Sequence, residues 1–154
     1  GGRVAKNTAG DRDDFPNCEK AIFENNLQNR VRLLVGISDK ERNTLLNNAD
    51  LVVSPNVKVP GSMEGFGINA VEAAICERVV VASDLEGLAD AIKNGKNGFL
   101  VESENIEKWV NKINKIFDSG EAFNRFFGKK ASQYTKENYS WDKICQRYLE
   151  EMKK

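Results

Sequence analysis

The sequence predicts an α/β fold, a Rossmann-like doubly wound parallel sheet flanked by helices, with a helical C-terminal tail. Short apolar runs alternate with segments of helical periodicity between residues 31 and 101. The apolar runs are continuous rather than alternating, which is typical of parallel strands buried on both faces. From Glu104 onward the spacing of apolar residues is helical, so the tail carries no further strand.

The length and composition predict one globular domain over residues 1–154. A chain of this length, with 40% hydrophobic residues, can bury a core without staples. Its 23 basic and 23 acidic residues balance, so no nucleic-acid partner is expected. Three dispersed cysteines without a C-x-x-C pair predict reduced thiols in a cytosolic protein, not a zinc site.

The N-terminal half is predicted to hold two helices and two strands. Residues 18–28 have the spacing of a short helix, and Val31–Val35, apolar except for Arg32, is predicted to be a strand closed by Gly36. Ser38 and Glu41 form a capping box that opens a helix ending near residue 48. The next strand is Leu51–Val53.

The C-terminal half continues the alternation and then becomes helical. A loop is predicted over 57–67, followed by a helix over 68–76, a strand over 79–83 and a short helix after Gly87. A turn over 94–98 then leads into a strand over 99–101. The remaining elements are a helix from Glu104, another helix after an interruption at Gly120, and a last helix capped by Ser140.

Ligands of doubly wound sheets bind at the carboxyl ends of the strands. Three loops are predicted to lie there, over residues 36–38, 54–67 and 83–87. The second is the most informative, because Gly65 and Gly67 let the backbone approach a ligand just before a helix begins. A helix N-terminus with unsatisfied amides suits a phosphate. Alone this signal is weak, since many such loops only turn a corner before a core helix.

Two carboxylates bracket this helix start. Glu72 falls in the second turn, where it is either a solvated carboxylate or an acceptor for both hydroxyls of a ribose. Glu64 precedes the helix, where it could accept from sugar hydroxyls or balance positive charge that develops on a donor sugar.

The run Glu64-Gly65-Phe66-Gly67-Ile68-Asn69-Ala70-Val71-Glu72 resembles the E-x7-E signature of the glycosyltransferase family 4 (group 1) enzymes. Other matching segments follow in the family's order. They are Asp50–Pro55, Val79–Ser83, Asn94–Val101 and Ser140-Trp141. The resemblance covers the chain from about Arg30 to its C-terminus.

This resemblance implies the C-terminal, nucleotide-sugar-binding half of a two-domain GT-B fold. The family transfers a sugar from a nucleotide-diphosphate sugar to a glycan, lipid or small-molecule acceptor, with retention of configuration and without a metal or other cofactor. The resemblance implies that the catalytic Glu64 contacts the donor sugar and that Glu72 binds the ribose. Sugar and diphosphate would be held by the amides of Gly65, Phe66, Gly67 and Ile68. The base would be bound by Gly36 and Ile37.

The resemblance also implies what else the enzyme needs. We expect the chain to be a fragment, inactive or weak alone, which lacks the N-terminal acceptor domain and the first part of its own domain. The family's diphosphate-clamping Arg and Lys would lie upstream, and Arg3 and Lys6 fall one strand too late to replace them. We expect the full enzyme in the cytoplasm, either free or peripheral at the inner face of the membrane.

Some features depart from the family pattern. Residues 56–63 lengthen the loop before the signature, and Cys76-Glu77-Arg78-Val79 replaces the usual Cys-Gly-Leu-Pro, which puts the exit of the helix in doubt. Three alternatives stay open. The chain could be a stand-alone nucleotide or nucleotide-sugar-binding module, an unrelated α/β domain such as a receiver or flavin carrier, or a GT-B protein with epimerase or phosphorolytic chemistry.

Overall fold

A computed structural model of the protein describes residues 15–61 and 65–153, without the side chain of Arg147. The chain divides into two compact units, with the boundary between Leu45 and Leu46.

The first unit contains helix α1, Phe15–Glu24, and most of helix α2, Asp39–Asn48. Helix α1 begins and ends earlier than the predicted range of 18–28. It stops because the chain turns at residues 25–26, where Asn26 has a φ of 55°.

The strand predicted at Val31–Val35 is wrong, because this segment has no regular secondary structure. Its apolar side chains stay exposed, at 54% for both Leu34 and Val35. A strand exists only where its amides and carbonyls meet those of a neighbour, and no described residue forms a ladder with this segment. The apolar composition of this segment therefore predicted a strand, but without a neighbouring strand among the described residues the segment does not form one.

The capping box at the start of α2 is confirmed. The Glu41 carboxylate accepts from the Ser38 amide at 2.8 Å and from its hydroxyl at 2.7 Å, while the Glu41 amide donates back to Ser38 Oγ at 3.3 Å. The hydrogen bond from the Ser38 hydroxyl, followed by the one from its amide, lowers the pKa of Glu41.

The second unit is built on a parallel three-stranded sheet. Its strands are β1, Leu51–Ser54, β2, Val79–Ser83, and β3, Phe99–Val101, in the order β1-β2-β3. Val53 pairs with Val81, and Ser83 pairs with Val101. Every residue of β2 is buried, as the continuous apolar run predicted.

Helices follow each of these strands. Their bounds are α3 Ile68–Ile75, α4 Glu86–Ala91, α5 Ile106–Asp118, α6 Gly120–Tyr139 and α7 Trp141–Glu151. The predicted helical tail is confirmed, and α4 begins slightly earlier than predicted, so that it includes Gly87. Within the described part of the chain, none of the helices combines the length and apolarity that crossing a membrane requires.

The sheet separates two apolar cores, which confirms the doubly wound arrangement. Val80 and Ala82 of β2 face a core closed by α3 and α4, whereas Val79 and Val81 face a core closed by α5. The first core includes Ala70, Ala73, Ala74, Leu88 and Ile92, and the second includes Val101, Trp109 and Ile116.

Helix α3 ends in a regular motif, although Glu77 stands where the family pattern has a glycine. The Arg78 amide donates to the Ala73 carbonyl and the Glu77 amide to the Ala74 carbonyl, both at 3.1 Å. This pattern is a Schellman motif, whose residue in the left-handed region is usually glycine. Here Glu77 takes that conformation, with a φ of 60°.

Candidate functional site

The carboxyl ends of the three strands meet at one edge of the sheet, as parallel pairing requires. The loop that follows β1 is anchored there by two hydroxyls. Ser83 Oγ donates to the Asn56 carbonyl at 2.6 Å, and Ser103 Oγ donates to the same oxygen at 2.9 Å. The chain that leads toward α3 is therefore fixed to the ends of β2 and β3.

The loop over residues 65–67 turns into α3 at Gly67, which has a φ of 66° and a ψ of 42°. The Gly67 carbonyl accepts from the amides of Ala70 at 3.0 Å and Val71 at 3.3 Å, so the helix begins at this residue. No side chain of the described residues caps the start of α3. An uncapped N-terminus carries partial positive charge and suits an anion.

Helix α4 lies directly beneath this loop. A Cβ added to Gly87 would lie 2.0 Å from the carbonyl oxygen of Gly65, and one added to Gly67 would lie 2.7 Å from Leu88 Cδ2. The backbone contact therefore requires glycine at residue 87, and at residue 67 the positive φ also favours glycine. The 83–87 segment was predicted to lie at the ligand edge, but its contribution through Gly87 was not foreseen.

Tyr139, at the end of α6, contacts the same loop from another direction. Its ring centroid lies 5.5 Å from that of Phe66, with the ring planes at 60°. Its hydroxyl donates to the Asp90 carbonyl of α4 at 2.8 Å. Nothing in the sequence pointed to this residue, because it lies far from Phe66 along the chain and outside any motif.

The structure brings most of the predicted donor residues onto one loop and helix. Glu72 is half-buried in the second turn of α3, which begins at Ile68. The members of this group are Gly65, Phe66, Gly67, Ile68 and Glu72. Glu64, Arg3 and Lys6 lie outside the described residues.

Gly36 and Ile37 belong to the first unit, just before α2. Gly36 has a φ of 67°, which favours glycine. Ile37 lines a cleft of about 610 Å³ within that unit. The other residues that line it are Leu34, Ser38, Lys40, Glu41, Thr44 and Leu45.

The Asn94–Val101 segment has a structural role in the turn before β3. The buried Asn97 side chain accepts from the Lys93 amide at 2.7 Å and donates to the Ala91 carbonyl at 3.0 Å. A Cβ added to Gly98 would lie 2.9 Å from Ile92 Cγ2. These contacts explain the residue types in the motif without a ligand.

A larger cleft, of about 680 Å³, lies at the opposite, amino-terminal edge of the sheet. Its polar groups include several that bond to one another or to the backbone. Arg125 pairs with Glu121, and Arg78 donates to the Cys76 and Ala49 carbonyls. Because ligands of such sheets bind at the carboxyl edge, we place the candidate site at the 65–67 loop.

The described residues offer no group of three or more His, Cys, Asp or Glu side chains placed to hold a metal ion. The three cysteines, Cys18, Cys76 and Cys145, are free thiols in the structure.

The sequence matches the family model described as glycosyl transferases group 1 over residues 8–138. The chain belongs to the group 1 glycosyltransferase family. Among curated group 1 relatives, it is 33% identical over 140 residues to N,N'-diacetylbacillosaminyl-diphospho-undecaprenol alpha-1,3-N-acetylgalactosaminyltransferase of Campylobacter jejuni. That alignment covers 91% of this chain and 34% of the relative. The chain therefore spans about a third of that relative's length.

Solved glycosyltransferases share the fold. Anabaena HepE in complex with UDP-glucose matches with a TM-score of 0.74 and 25% identity, over 94% of this chain and 38% of HepE. A variant of Staphylococcus aureus TarM bound to fondaparinux, alpha-GlcNAc-glycerol and UDP matches with a TM-score of 0.72 and 32% identity, over 89% of this chain and 26% of TarM. The prediction of one half of a GT-B fold, in a group 1 glycosyltransferase, is thus confirmed.

Proposed function

We propose that this chain is the donor-binding domain of a retaining glycosyltransferase, which transfers a sugar from a nucleotide-diphosphate sugar to an acceptor. It would act together with an acceptor-binding domain and the missing first part of its own domain in the full-length gene product.

One observation carries this proposal. The glycine-containing loop over residues 65–67 leads into the uncapped N-terminus of α3 at the carboxyl edge of the sheet. Backbone amides and the partial positive charge of a helix start can hold a diphosphate. Glu72, one turn further along, then lies within the span of a nucleotide that extends from those amides.

The residue roles in this proposal are those that the family resemblance implies. The amides of Gly65 to Ile68 hold the diphosphate and part of the sugar, and Glu72 accepts hydrogen bonds from the ribose hydroxyls. Glu64 contacts the donor sugar and offsets charge as the glycosidic bond breaks. The resemblance assigns the base to the backbone of Gly36 and Ile37, which belong to the first unit.

The relatives support a nucleotide-sugar donor. HepE matches this chain in a complex with UDP-glucose, and TarM matches it in a complex with UDP. The curated relatives include two named for alpha-linked transfer, the Campylobacter enzyme and a poly(ribitol-phosphate) alpha-N-acetylglucosaminyltransferase. Uridine nucleotides are accordingly the first probes to use.

Isothermal titration of the chain with UDP and UDP-glucose tests the donor site. We expect saturable binding that Glu72→Ala weakens at least about tenfold, since hydrogen bonds to a charged group contribute about 1.5–3 kcal/mol each. Glu150→Ala, in α7, is the matched control and should bind as the unaltered chain does. Equal affinity in the Glu72 variant would refute the ribose role.

Transfer itself is tested in the full-length gene product. Glu64→Ala should preserve the fold, seen by circular dichroism, and abolish transfer from the donor. NMR of the product should show the anomeric configuration of the donor retained. A protein that binds donor yet transfers nothing to any acceptor would instead be a stand-alone nucleotide-sugar-binding module.

A further inference from the structure

We infer that Tyr139 is a positioning residue for the donor loop, here the segment Gly65–Gly67. The inference rests on the proposed function, because it assigns to Tyr139 a part in holding the amides that bind the donor. Tyr139 lies at the last position of α6, outside the signature segment and outside every loop predicted at the carboxyl edge.

The donor loop has two supports that meet in α4. From below, the backbone of Gly87 contacts the Gly65 carbonyl, closely enough that a Cβ at Gly87 would lie 2.0 Å from its oxygen. From the side, the Tyr139 ring packs edge-on against Phe66 at 5.5 Å. Its hydroxyl donates to the Asp90 carbonyl, which belongs to the same helix as Gly87.

These contacts form a closed clamp. The Phe66 ring is held by Tyr139, Tyr139 is held by α4, and α4 supports the Gly65 carbonyl. A Cβ added to Gly65 would meet nothing within 4 Å among the described residues, so Gly87 restrains the carbonyl of this residue and nothing described packs at its Cβ position. The Tyr139–Phe66 contact adds a second restraint, on the neighbouring residue of the loop.

Restraint matters here because of the loop's composition. Two of its three residues are glycines, which lose more conformational freedom on ordering than other residues do. A loop that is ordered before the donor arrives does not lose that freedom on binding, and this increases affinity. Tyr139 therefore acts on donor affinity through Phe66, without touching the donor.

The chain offers a graded set of variants. Tyr139→Phe keeps the ring and removes the hydrogen bond to Asp90, whereas Tyr139→Leu removes both contacts. Tyr148→Leu makes the same change on an exposed position of α7 and serves as the control. Two measurements are made on each: the amide shifts of Gly65 and Gly67 in nitrogen-edited NMR without ligand, and the Kd for UDP and UDP-glucose by titration.

We expect the two glycine amides to shift in Tyr139→Leu and not in Tyr148→Leu. The Kd for UDP-glucose should rise about three- to tenfold in Tyr139→Leu, the range that an aromatic pair contributes, and less in Tyr139→Phe. The number of sites per chain should stay unchanged. A variant that merely folded incompletely would lower the number of sites and leave Kd as it was.

The outcomes separate this inference from the proposed function. Normal binding by the unaltered chain with an unchanged Kd in Tyr139→Leu would overturn the positioning role alone. A drop in the number of sites at constant Kd would overturn it as well. Failure of the unaltered chain to bind either nucleotide would overturn the proposed function, and the positioning role with it.

Discussion

Glu77 holds a backbone conformation that glycine adopts more readily. Its φ of 60° lies in the left-handed region, where a Cβ crowds the backbone. The helix ending persists because the amides of Glu77 and Arg78 satisfy the last carbonyls of α3. Arg78 adds a hydrogen bond from its guanidinium to the Ala49 carbonyl at 3.0 Å, which ties this exit to the start of the sheet.

Replacing Glu77 with glycine should therefore stabilise the chain. We expect Glu77→Gly to raise the free energy of unfolding by about 0.5–1 kcal/mol, because the left-handed strain disappears. Urea denaturation followed by circular dichroism measures the change. Glu137→Gly, inside α6, should instead destabilise by about 1 kcal/mol. A loss of stability in Glu77→Gly would show that its side chain contributes more than its backbone strain costs.

The capping box at α2 gives a pH-dependent prediction. Since hydrogen bonds from Ser38 lower the pKa of Glu41 in the folded chain, the ionised carboxylate stabilises the fold above its ordinary pKa. That stabilisation is lost as pH falls through the lowered folded pKa.

Ser38→Ala should shift the pKa of Glu41 upward, toward its ordinary value, because it removes the hydroxyl donor. Carbon-13 NMR titration of the carboxyl group measures this shift. The stability difference between the two chains should be largest at neutral pH and shrink in acid, where Glu41 is protonated in both. A pH-independent difference would mean that the carboxylate does not take part.

At the scale of elements, the sequence correctly predicted the strands and helices whose apolar residues are the ones that the fold buries. Strand β2 is apolar and fully buried, and α3 packs Ala70, Ala73 and Ala74 into the first core. Val31–Val35 is also mostly apolar but has no ladder partner among the described residues, so apolar character alone could not distinguish it from β2. Pairing is a property of distant segments, and local sequence does not encode it.

In the candidate site, too, some features could be predicted from local sequence and others could not. The turn over residues 65–67, the helix that follows it and the place of Glu72 in that helix could be predicted, because glycines, a helix start and a carboxylate follow one another in sequence. Gly87 and Tyr139 could not, because their contacts with the loop arise from the packing of α4 and α6. In the sequence, a glycine that packs against a distant carbonyl cannot be distinguished from a glycine that is needed for a turn.

Two such glycines make a matched pair. A Cβ added to Gly87 would lie 2.0 Å from the Gly65 carbonyl oxygen. A Cβ added to Gly128 would lie 2.1 Å from the Glu77 carbonyl oxygen. We expect both Gly87→Ala and Gly128→Ala to lower the free energy of unfolding by about 1–3 kcal/mol through overpacking.

Donor binding should distinguish the two variants. Gly87→Ala should displace the donor loop and raise the Kd for UDP-glucose roughly tenfold or more. Gly128→Ala, in α6 where it packs against Glu77, should leave that Kd unchanged. Titration of both variants under conditions where each is folded measures the difference. Equal Kd values would argue against the loop as the donor site.

At the scale of the whole molecule, family membership is clear and the chain supplies only part of an enzyme's length. The chain covers a quarter to about a third of the Campylobacter and Staphylococcus relatives. Its formal net charge is zero, so under the proposed function the attraction for a diphosphate would arise locally, at the start of α3, rather than from the overall field. Donor affinity would then depend on the geometry of a few amides.

This local source of charge leads to a prediction about metal dependence. If helix amides and side chains of the full-length gene product balance the leaving diphosphate, transfer should be unaffected by EDTA. Initial rates with a nucleotide-sugar donor, with and without chelator, measure this. Loss of transfer in EDTA, restored by added Mg²⁺, would show that the diphosphate is neutralised by a cation instead.

The double anchor at the Asn56 carbonyl has a consequence for how this region can change. Because Ser83 and Ser103 both bond to this carbonyl, the chain is fixed against the ends of β2 and β3 before the residues that lead to the donor loop begin. Lengthening a loop costs little, about 0.6 kcal/mol for each doubling. The segment after Asn56 is thus a place where insertions can accumulate and new acceptor contacts can evolve while the fold and the nucleotide site stay the same.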